Sequence, residues 1–290
     1  MVGLSSEQIT QFKKDGYLVI EDFLSDPECD VLKDKIFDVT DTYLDLATHP
    51  RTVFTTYSAK EAAPDKHMAA DYFLSSGDCV KFFFEEGAFS ESGELVVPKH
   101  AAINKIGHAL HTDVEEYKAV AQGQGIQNIC RSLAMEHPIL PQSMYIFKSP
   151  GGLGGEVTPH KDSSFLHTGG TRLLGLWIPL DDADVNNGCL WFIPGSHCER
   201  ASLHMNRKCD NSGCEFVGTP NNFAEGWVAV EVKRGSLVLI DGDVSHKSER
   251  NTSQRERNAF TFHLYEGQGA NWRETNWNQP TDKGTFVQLY

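Results

Sequence analysis

The sequence predicts a mainly β protein with flanking helices, whose C-terminal half folds as a sandwich or barrel. The first observation is a change of pattern near residue 142, where helical periodicity gives way to short apolar runs separated by Gly, Pro, Asn and Asp. The second is that several such runs follow one another, as is typical of strands joined by tight turns. These runs are SMYIFKSP, GEVTPHKD, LLGLWIPL, CLWFIPGS, SLVLIDGD and NAFTFHLY.

The N-terminal part carries helix start and stop signals. Ser5 and Gln8 form a capping-box pattern, and Gly16 ends that helix before a strand predicted over residues 17–20. The same pattern recurs from Ser25, which predicts a second helix. A third helical stretch is predicted within INKIGHALHTDVEEYKAVA.

Length and charge restrict the class of protein. A chain of 290 residues with 40% hydrophobic content can bury a sizeable core, as one large domain or two modest ones. The sequence shows no internal repeat or clear linker, so we expect a single domain over 1–290, with mostly helical support in 1–140 and the β core in 141–290. The net charge of −14 argues against nucleic acid or an anionic membrane as a partner. Without an apolar run long enough to span a bilayer, a secretory signal or a peroxisomal tripeptide, we expect a cytoplasmic location.

A metal site is indicated in the β-rich half. His160 and Asp162 alternate after a glycine-rich loop, and alternate residues share a face only in an extended strand. His246 follows the strand predicted at 236–240 and is the candidate third ligand. Two imidazoles and one carboxylate are typical of non-haem Fe(II) oxygenases, whereas catalytic zinc more often takes three His, or two His and a Glu.

A second His-x-Asp pattern, His111 and Asp113, lies in the third helical stretch. Residues two apart diverge on a helix, so we interpret this copy as a coincidence on a solvated helix face.

An oxygenase of this kind needs a cation for the far carboxylate of 2-oxoglutarate. Arg250, Arg255 and Arg257 follow His246, and Arg257 opens a predicted strand, where a guanidinium can hold a carboxylate with two hydrogen bonds. A surface location suits Arg250 and Arg255 better, but spacing alone does not decide among the three.

These residues, together with NGCLWFIPGSH at 187–197 and DGYLVIEDFLS near the start, resemble the phytanoyl-CoA dioxygenase family. The resemblance implies a double-stranded β-helix core of the jelly-roll or cupin kind. It also implies Fe(II) on His160, Asp162 and His246, with no catalytic residue beyond the metal site. The residues that it implies around 2-oxoglutarate are Lys105, Met144, Trp177, Ser248 and Arg257.

The resemblance further implies a 2-oxoglutarate-dependent dioxygenase, supported by ascorbate, with succinate and CO2 as co-products. The expected substrate is a small organic molecule or a fatty acyl-CoA, and 2-hydroxylation of phytanoyl-CoA is one form of that reaction. The acidic chain weakens the acyl-CoA reading, because CoA is polyanionic. A sensor of the same fold that binds metal and 2-oxoglutarate without turnover is the alternative.

Overall fold

The structure is a computed structural model that describes residues 3–50, 52, 70–151, 153–223 and 225–290. The α-helices are Ser6–Asp15 (α1), Asp26–Tyr43 (α2), Ala70–Leu74 (α3), Leu110–Asp113 (α4), Glu115–Ala121 (α5) and Gln124–Ser132 (α6). The strands are Tyr17–Ile20 (β1), Val80–Phe84 (β2), Ile103–His108 (β3), Pro138–Ile146 (β4), Val157–His160 (β5), Leu173–Pro179 (β6), Leu190–Phe192 (β7), Leu203–Arg207 (β8), Cys214–Gly218 (β9), Val228–Val230 (β10), Leu237–Asp241 (β11), His246–Ser248 (β12), Ala259–Glu266 (β13) and Val287–Gln288 (β14).

Two antiparallel sheets form the core of the molecule. The larger sheet has the order β1-β11-β6-β13-β4-β3-β2, and β14 pairs with one end of β4. The smaller sheet has the order β10-β7-β12-β5, and β8 and β9 form a separate hairpin. Apolar side chains of both sheets pack together in one buried cluster, with Trp177 and Val238 from the larger sheet and Leu190 and Phe192 from the smaller. Each of the six apolar runs in the C-terminal half contains a strand, as predicted.

The capping boxes of the first two helices are confirmed. The Ser5 hydroxyl accepts a hydrogen bond from the Gln8 backbone N–H, and the Gln8 side chain accepts one from the Ser5 N–H. Gly16 ends α1 in the left-handed conformation, at φ 81°. At α2 the Glu28 carboxylate accepts from both the N–H and the hydroxyl of Ser25. The sequence therefore fixes these helix starts locally.

The prediction of helix at the beginning of the third stretch is wrong. Residues Ile103–His108 form β3, which pairs with β2 on one side and β4 on the other. Most of its side chains are buried on both faces, so the alternation that identifies a half-buried strand is absent from the sequence. Helix resumes at Leu110, so the N-terminal part supplies three strands to the larger sheet in addition to its helices.

The two faces of the larger sheet have different partners. On β13, Phe260, Phe262 and Leu264 point outward into the largest hydrophobic cluster, which contains residues from α1, α2, α5 and α6. The Phe260 ring packs edge-on against Tyr117 of α5, with ring centroids 4.8 Å apart. The intervening residues of β13, among them His263, face inward, toward the smaller sheet. The helices therefore stabilise the outer face, and the inner face is left for the site.

No helix in the described ranges is both long and apolar enough to cross a bilayer.

We expect Phe260→Ala to lower the free energy of unfolding by about 3–5 kcal/mol, because it leaves a cavity between the central strand and α5. Urea denaturation measures this change, and Val217→Ala, at an exposed position of β9, is the control. A loss for Phe260→Ala no larger than that of the control would contradict the packing described.

Candidate metal centre and anion pocket

Three side chains predicted to bind metal converge at the end of the smaller sheet. His160 is the last residue of β5 and His246 the first of β12, and the two are direct cross-strand partners. Asp162 begins a single turn of 3₁₀-helix after β5. Its Oδ1 lies 3.7 Å from Nε2 of His160 and 3.6 Å from Nε2 of His246. One ligand atom from each residue lies within 4.8 Å of the others, so the three could hold one ion.

Backbone carbonyls fix the tautomer of both imidazoles. Nδ1 of His160 lies 2.9 Å from the carbonyl oxygen of Thr158, and Nδ1 of His246 lies 3.1 Å from that of Val244. A carbonyl only accepts, so Nδ1 carries the proton and Nε2 presents a lone pair. Burial lowers the pKa of His246 to about 4, so this ring is neutral at physiological pH.

The second oxygen of Asp162 faces residues that the sequence analysis missed. Oδ2 lies 3.3 Å from Nε2 of His263, whose Nδ1 lies 3.1 Å from the side-chain nitrogen of Gln142. Burial alone would raise the pKa of Asp162, but the neighbouring His263, and after it His246, hold that pKa well below its usual range. His263 alternates with Ala259 and Thr261 in NAFTFHLY, and that alternation was the available signal.

A cavity of about 450 Å³ opens beside the metal ligands His160 and Asp162. Lys105 and Met144, predicted at the 2-oxoglutarate site, are part of its wall. Both come from the inner face of the larger sheet, where Lys105 lies on β3 and Met144 on β4. Burial lowers the pKa of Lys105 well below its usual range.

Arg257 is a buried basic residue that packs against Trp177. Only 1% of its surface is exposed, and its guanidinium carbon lies 5.3 Å from the centre of the Trp177 ring. Within the described part of the chain, its Nε and Nη1 have no hydrogen-bond partner. Burial lowers its pKa to about 10, which leaves it charged at neutral pH. A buried guanidinium with open donors suits a carboxylate ligand.

Ser248 lies beside a lysine that the sequence analysis did not identify. Nζ of Lys148 donates to the Ser248 hydroxyl at 2.8 Å and to the carbonyl oxygens of Gly155 and Glu249. The backbone N–H of Arg257 donates to the Lys148 carbonyl at 3.2 Å. Burial, and secondarily Arg257, hold the pKa of Lys148 well below its usual range. The Ser248 hydroxyl accepts from Lys148, so its own proton remains available to an anion.

The other arginines and the second His-x-Asp pair have different surroundings. Arg255 is exposed and forms an ion pair with Asp184, while Arg250 is exposed at the cavity. The prediction of a solvated face is wrong for His111, which is fully buried. Its ring nitrogens lie 2.8 Å from the Ser143 hydroxyl and 2.7 Å from the Thr285 carbonyl oxygen, so its role is structural.

Glu85 is an ionisable residue of the cavity wall that sequence reasoning missed. Its side chain is buried, and the Gly155 N–H points to its carboxylate at 3.4 Å. Burial raises the pKa of Glu85 to about 7, although hydrogen bonds from the Asn104 side chain and the Gly155 N–H partly offset that rise. The charge of the cavity wall therefore changes in the neutral pH range.

Comparison with known sequences relates this chain to one protein family. A profile of the family described as phytanoyl-CoA dioxygenase (PhyH) matches residues 12–259. A Bos taurus protein named phytanoyl-CoA dioxygenase domain-containing protein 1 is 46% identical, over 100% of this chain and 100% of its own length. The Danio rerio protein of that name is 42% identical over 99% of each chain.

Solved structures with a similar fold confirm the predicted double-stranded β-helix. SnoK, a non-haem alpha-ketoglutarate-dependent carbocyclase from nogalamycin biosynthesis, aligns with a TM-score of 0.65 at 18% identity, over 99% of this chain and 97% of SnoK. EctD of S. alaskensis with bound Fe aligns with a TM-score of 0.63 at 20% identity, over 99% of this chain and 87% of EctD. Another EctD structure, with 2-oxoglutarate and 5-hydroxyectoine, has a TM-score of 0.61 at 19% identity, over 98% and 84% of the two chains.

We expect Glu85→Gln to flatten the pH dependence of stability. The folded-state pKa of Glu85 is raised, so its contribution is complete below the unfolded pKa and is lost as pH rises through about 7. That loss is about 3 kcal/mol for the wild type and absent in the variant. Urea denaturation at about pH 4 and about pH 8 measures it. The exposed neighbour Glu86→Gln is the control, and equal pH slopes for wild type and Glu85→Gln would refute the raised pKa.

Proposed function

Because this chain belongs to the phytanoyl-CoA dioxygenase (PhyH) family, we propose that it is an Fe(II)- and 2-oxoglutarate-dependent dioxygenase that hydroxylates an organic substrate. The observation that carries the proposal is the combination of two sites, one at the end of the smaller sheet and one beside the larger sheet. A cluster of His160, Asp162 and His246 suits a divalent ion, and Arg257, a buried cation with unpartnered N–H groups, suits a carboxylate.

The donor set fits iron. Two imidazoles and one carboxylate leave other coordination positions open, as non-haem Fe(II) oxygenases require. Fe(II) held there would allow O2 to hydroxylate a C–H bond of the substrate. One oxygen atom would enter the product and the other would enter succinate, as 2-oxoglutarate is oxidised and loses CO2. We propose that ascorbate supports activity by keeping the iron reduced. The chain's own contribution is to orient the ligands and exclude water.

The anion pocket fits 2-oxoglutarate. We assign its far carboxylate to the open guanidinium donors of Arg257 and to the free proton of Ser248. Burying Arg257 without an anion costs free energy that a bound carboxylate offsets. Trp177 covers the guanidinium. Lys105 and Met144 line the cavity beside His160 and Asp162.

The substrate is proposed to lie against the apolar wall of the cavity. This wall contains Phe73, Phe165, Leu166, Met205 and Trp277. It suits the hydrocarbon part of a small organic molecule or of a fatty acyl-CoA. The family description makes 2-hydroxylation of phytanoyl-CoA the first specific reaction to test.

We expect His160→Ala and Asp162→Ala each to lower 2-oxoglutarate turnover by more than about 100-fold, because each removes a direct metal ligand. The measurement is release of CO2 from 2-oxoglutarate labelled at C1, with Fe(II), ascorbate and oxygen, in the absence of a prime substrate. His137→Ala, at an exposed histidine, is the control. Undiminished succinate formation in either ligand variant would refute the assigned site.

The same assay separates an enzyme from a sensor and tests the substrate class. Stimulation of turnover by phytanoyl-CoA or another acyl-CoA would support the acyl-CoA assignment. Turnover without that stimulation would support the dioxygenase and exclude those acyl-CoAs. Tight binding of Fe(II) and 2-oxoglutarate without CO2 release would favour the sensor.

We expect Arg257→Ala to raise the KM for 2-oxoglutarate by roughly 30-fold or more, because it removes a buried charged partner. The affinity for Fe(II) should change far less, since Arg257 is not a metal ligand. Steady-state kinetics and metal titration measure the two effects separately. Equal weakening of both would mean that the variant is misfolded or that the anchor is wrongly assigned.

A further inference from the structure

One row of cross-strand partners lies directly beneath Asp162. Gln142 of β4 pairs with His263 of β13, His263 pairs with Gly175 of β6, and Gly175 pairs with Ile240 of β11. Partners in such a row project from the same face of a sheet, here the inner face. Neighbouring strands therefore place the amide of Gln142, the imidazole of His263 and the Cα of Gly175, which carries no side chain, next to one another beneath the carboxylate of Asp162.

The hydrogen bonds of this row fix the proton on His263. The side-chain nitrogen of Gln142 is a donor and lies 3.1 Å from Nδ1 of His263, so Nδ1 accepts. A neutral ring whose Nδ1 accepts carries its proton on Nε2. That Nε2 is 3.3 Å from Oδ2 of Asp162, and a carboxylate accepts. The row thus directs one N–H at one particular oxygen of Asp162.

Gly175 provides the space in which the carboxylate lies. A Cβ atom at this position would be only 2.6 Å from Oδ2 of Asp162 and 3.3 Å from Cβ of Ile240. Since non-bonded heavy atoms pack at about 3.5–4.0 Å, any side chain larger than hydrogen would displace the carboxylate. Glycine weakens a strand interior, and close approach of another group is a recurring reason to find it there.

We propose that Gln142, His263 and Gly175 are positioning residues that hold Oδ2 of Asp162 away from the metal, so that only Oδ1 binds it. Oδ1 is the oxygen that lies between the two ligand imidazoles. Rotation of the carboxylate would let both oxygens bind and would occupy a position that 2-oxoglutarate or oxygen needs. The inference rests on the proposed metal centre and adds the reason why that centre keeps open positions.

The test uses Mn(II), which binds the same kind of ligands and reports its bound waters through the relaxation of solvent protons. Metal-free full-length protein is titrated with Mn(II), and both the affinity and the relaxivity of the bound ion are measured. For His263→Leu we expect the affinity to fall by about 10- to 100-fold, the usual effect of losing a hydrogen bond to a metal ligand. We also expect the bound ion to lose about one water, because the released carboxylate takes that position.

Conservative and matched variants separate positioning from general stability. His263→Gln can still present an N–H near the position of Nε2, so we expect it to restore most of the affinity and the relaxivity. Gly175→Ala, which displaces the same carboxylate, should weaken Mn(II) binding as His263→Leu does. Phe262→Leu, on the outer face of the same strand, should lower stability but leave both Mn(II) measurements unchanged.

Unchanged affinity or unchanged relaxivity in His263→Leu would overturn the proposal, and so would failure of the wild type to bind Mn(II). The proposed function fails differently. Suppose that the wild-type protein binds Mn(II) and the variants show the predicted effects, yet no CO2 is released from 2-oxoglutarate with Fe(II). That result would support the positioning role of Gln142, His263 and Gly175 and would refute the proposed dioxygenase activity.

Discussion

The central physical constraint in this protein is the burial of ionic groups between its two sheets. Asp162 and Arg257 are at most 8% exposed, and Arg257 is charged at neutral pH. Charges removed from water are stable only when other charges or hydrogen bonds replace the water. Asp162 has three histidines around it. Arg257 has open donors in the described part of the chain, and this difference points to an anionic ligand at Arg257.

The larger sheet can carry polar residues on its inner face because the outer face of its central strand, β13, is apolar. On β13, Phe260 and Phe262 contribute to the large helix-covered cluster, while the adjacent Thr261 and His263 serve the site. The period of two in a strand allows each residue to be selected for one task without affecting the other. It also predicts that stability and metal binding respond to different substitutions within a single strand.

The sequence predicted those parts of the site that have a chemical signature in a short stretch. His160, Asp162 and His246 are recognisable because imidazole and carboxylate recur beside predicted strands, and the structure brings them together. The positions of Lys148 and Gln142 depend instead on the register between strands distant in the sequence. Register is set by the completed sheet, so local pattern could not identify these residues.

Two other features that sequence reasoning missed or misread, Gly175 and the strand at 103–108, have causes within their own stretch of sequence. The glycine in LLGLWIPL, Gly175, was a visible signal, because glycine inside a buried strand often marks close approach of another group. The error at 103–108 arose because this strand is buried on both faces and so shows no alternation. Periodicity in a sequence identifies strands and helices that have one solvent-exposed face, and the strand that carries Lys105 has no exposed residue.

The distribution of charge bears on the choice of substrate. The chain has a net charge of −14, and the exposed residues at the cavity include Glu86 and Glu156 as well as Arg250. The cation proposed to hold 2-oxoglutarate, Arg257, is buried, so only an anion small enough to enter the protein can pair with it. A polyanionic group too large to enter would remain at the acidic exterior and be repelled there. The electrostatics therefore favour substrates without a large exposed polyanion, and an acyl-CoA would need contacts at the surface that overcome this repulsion.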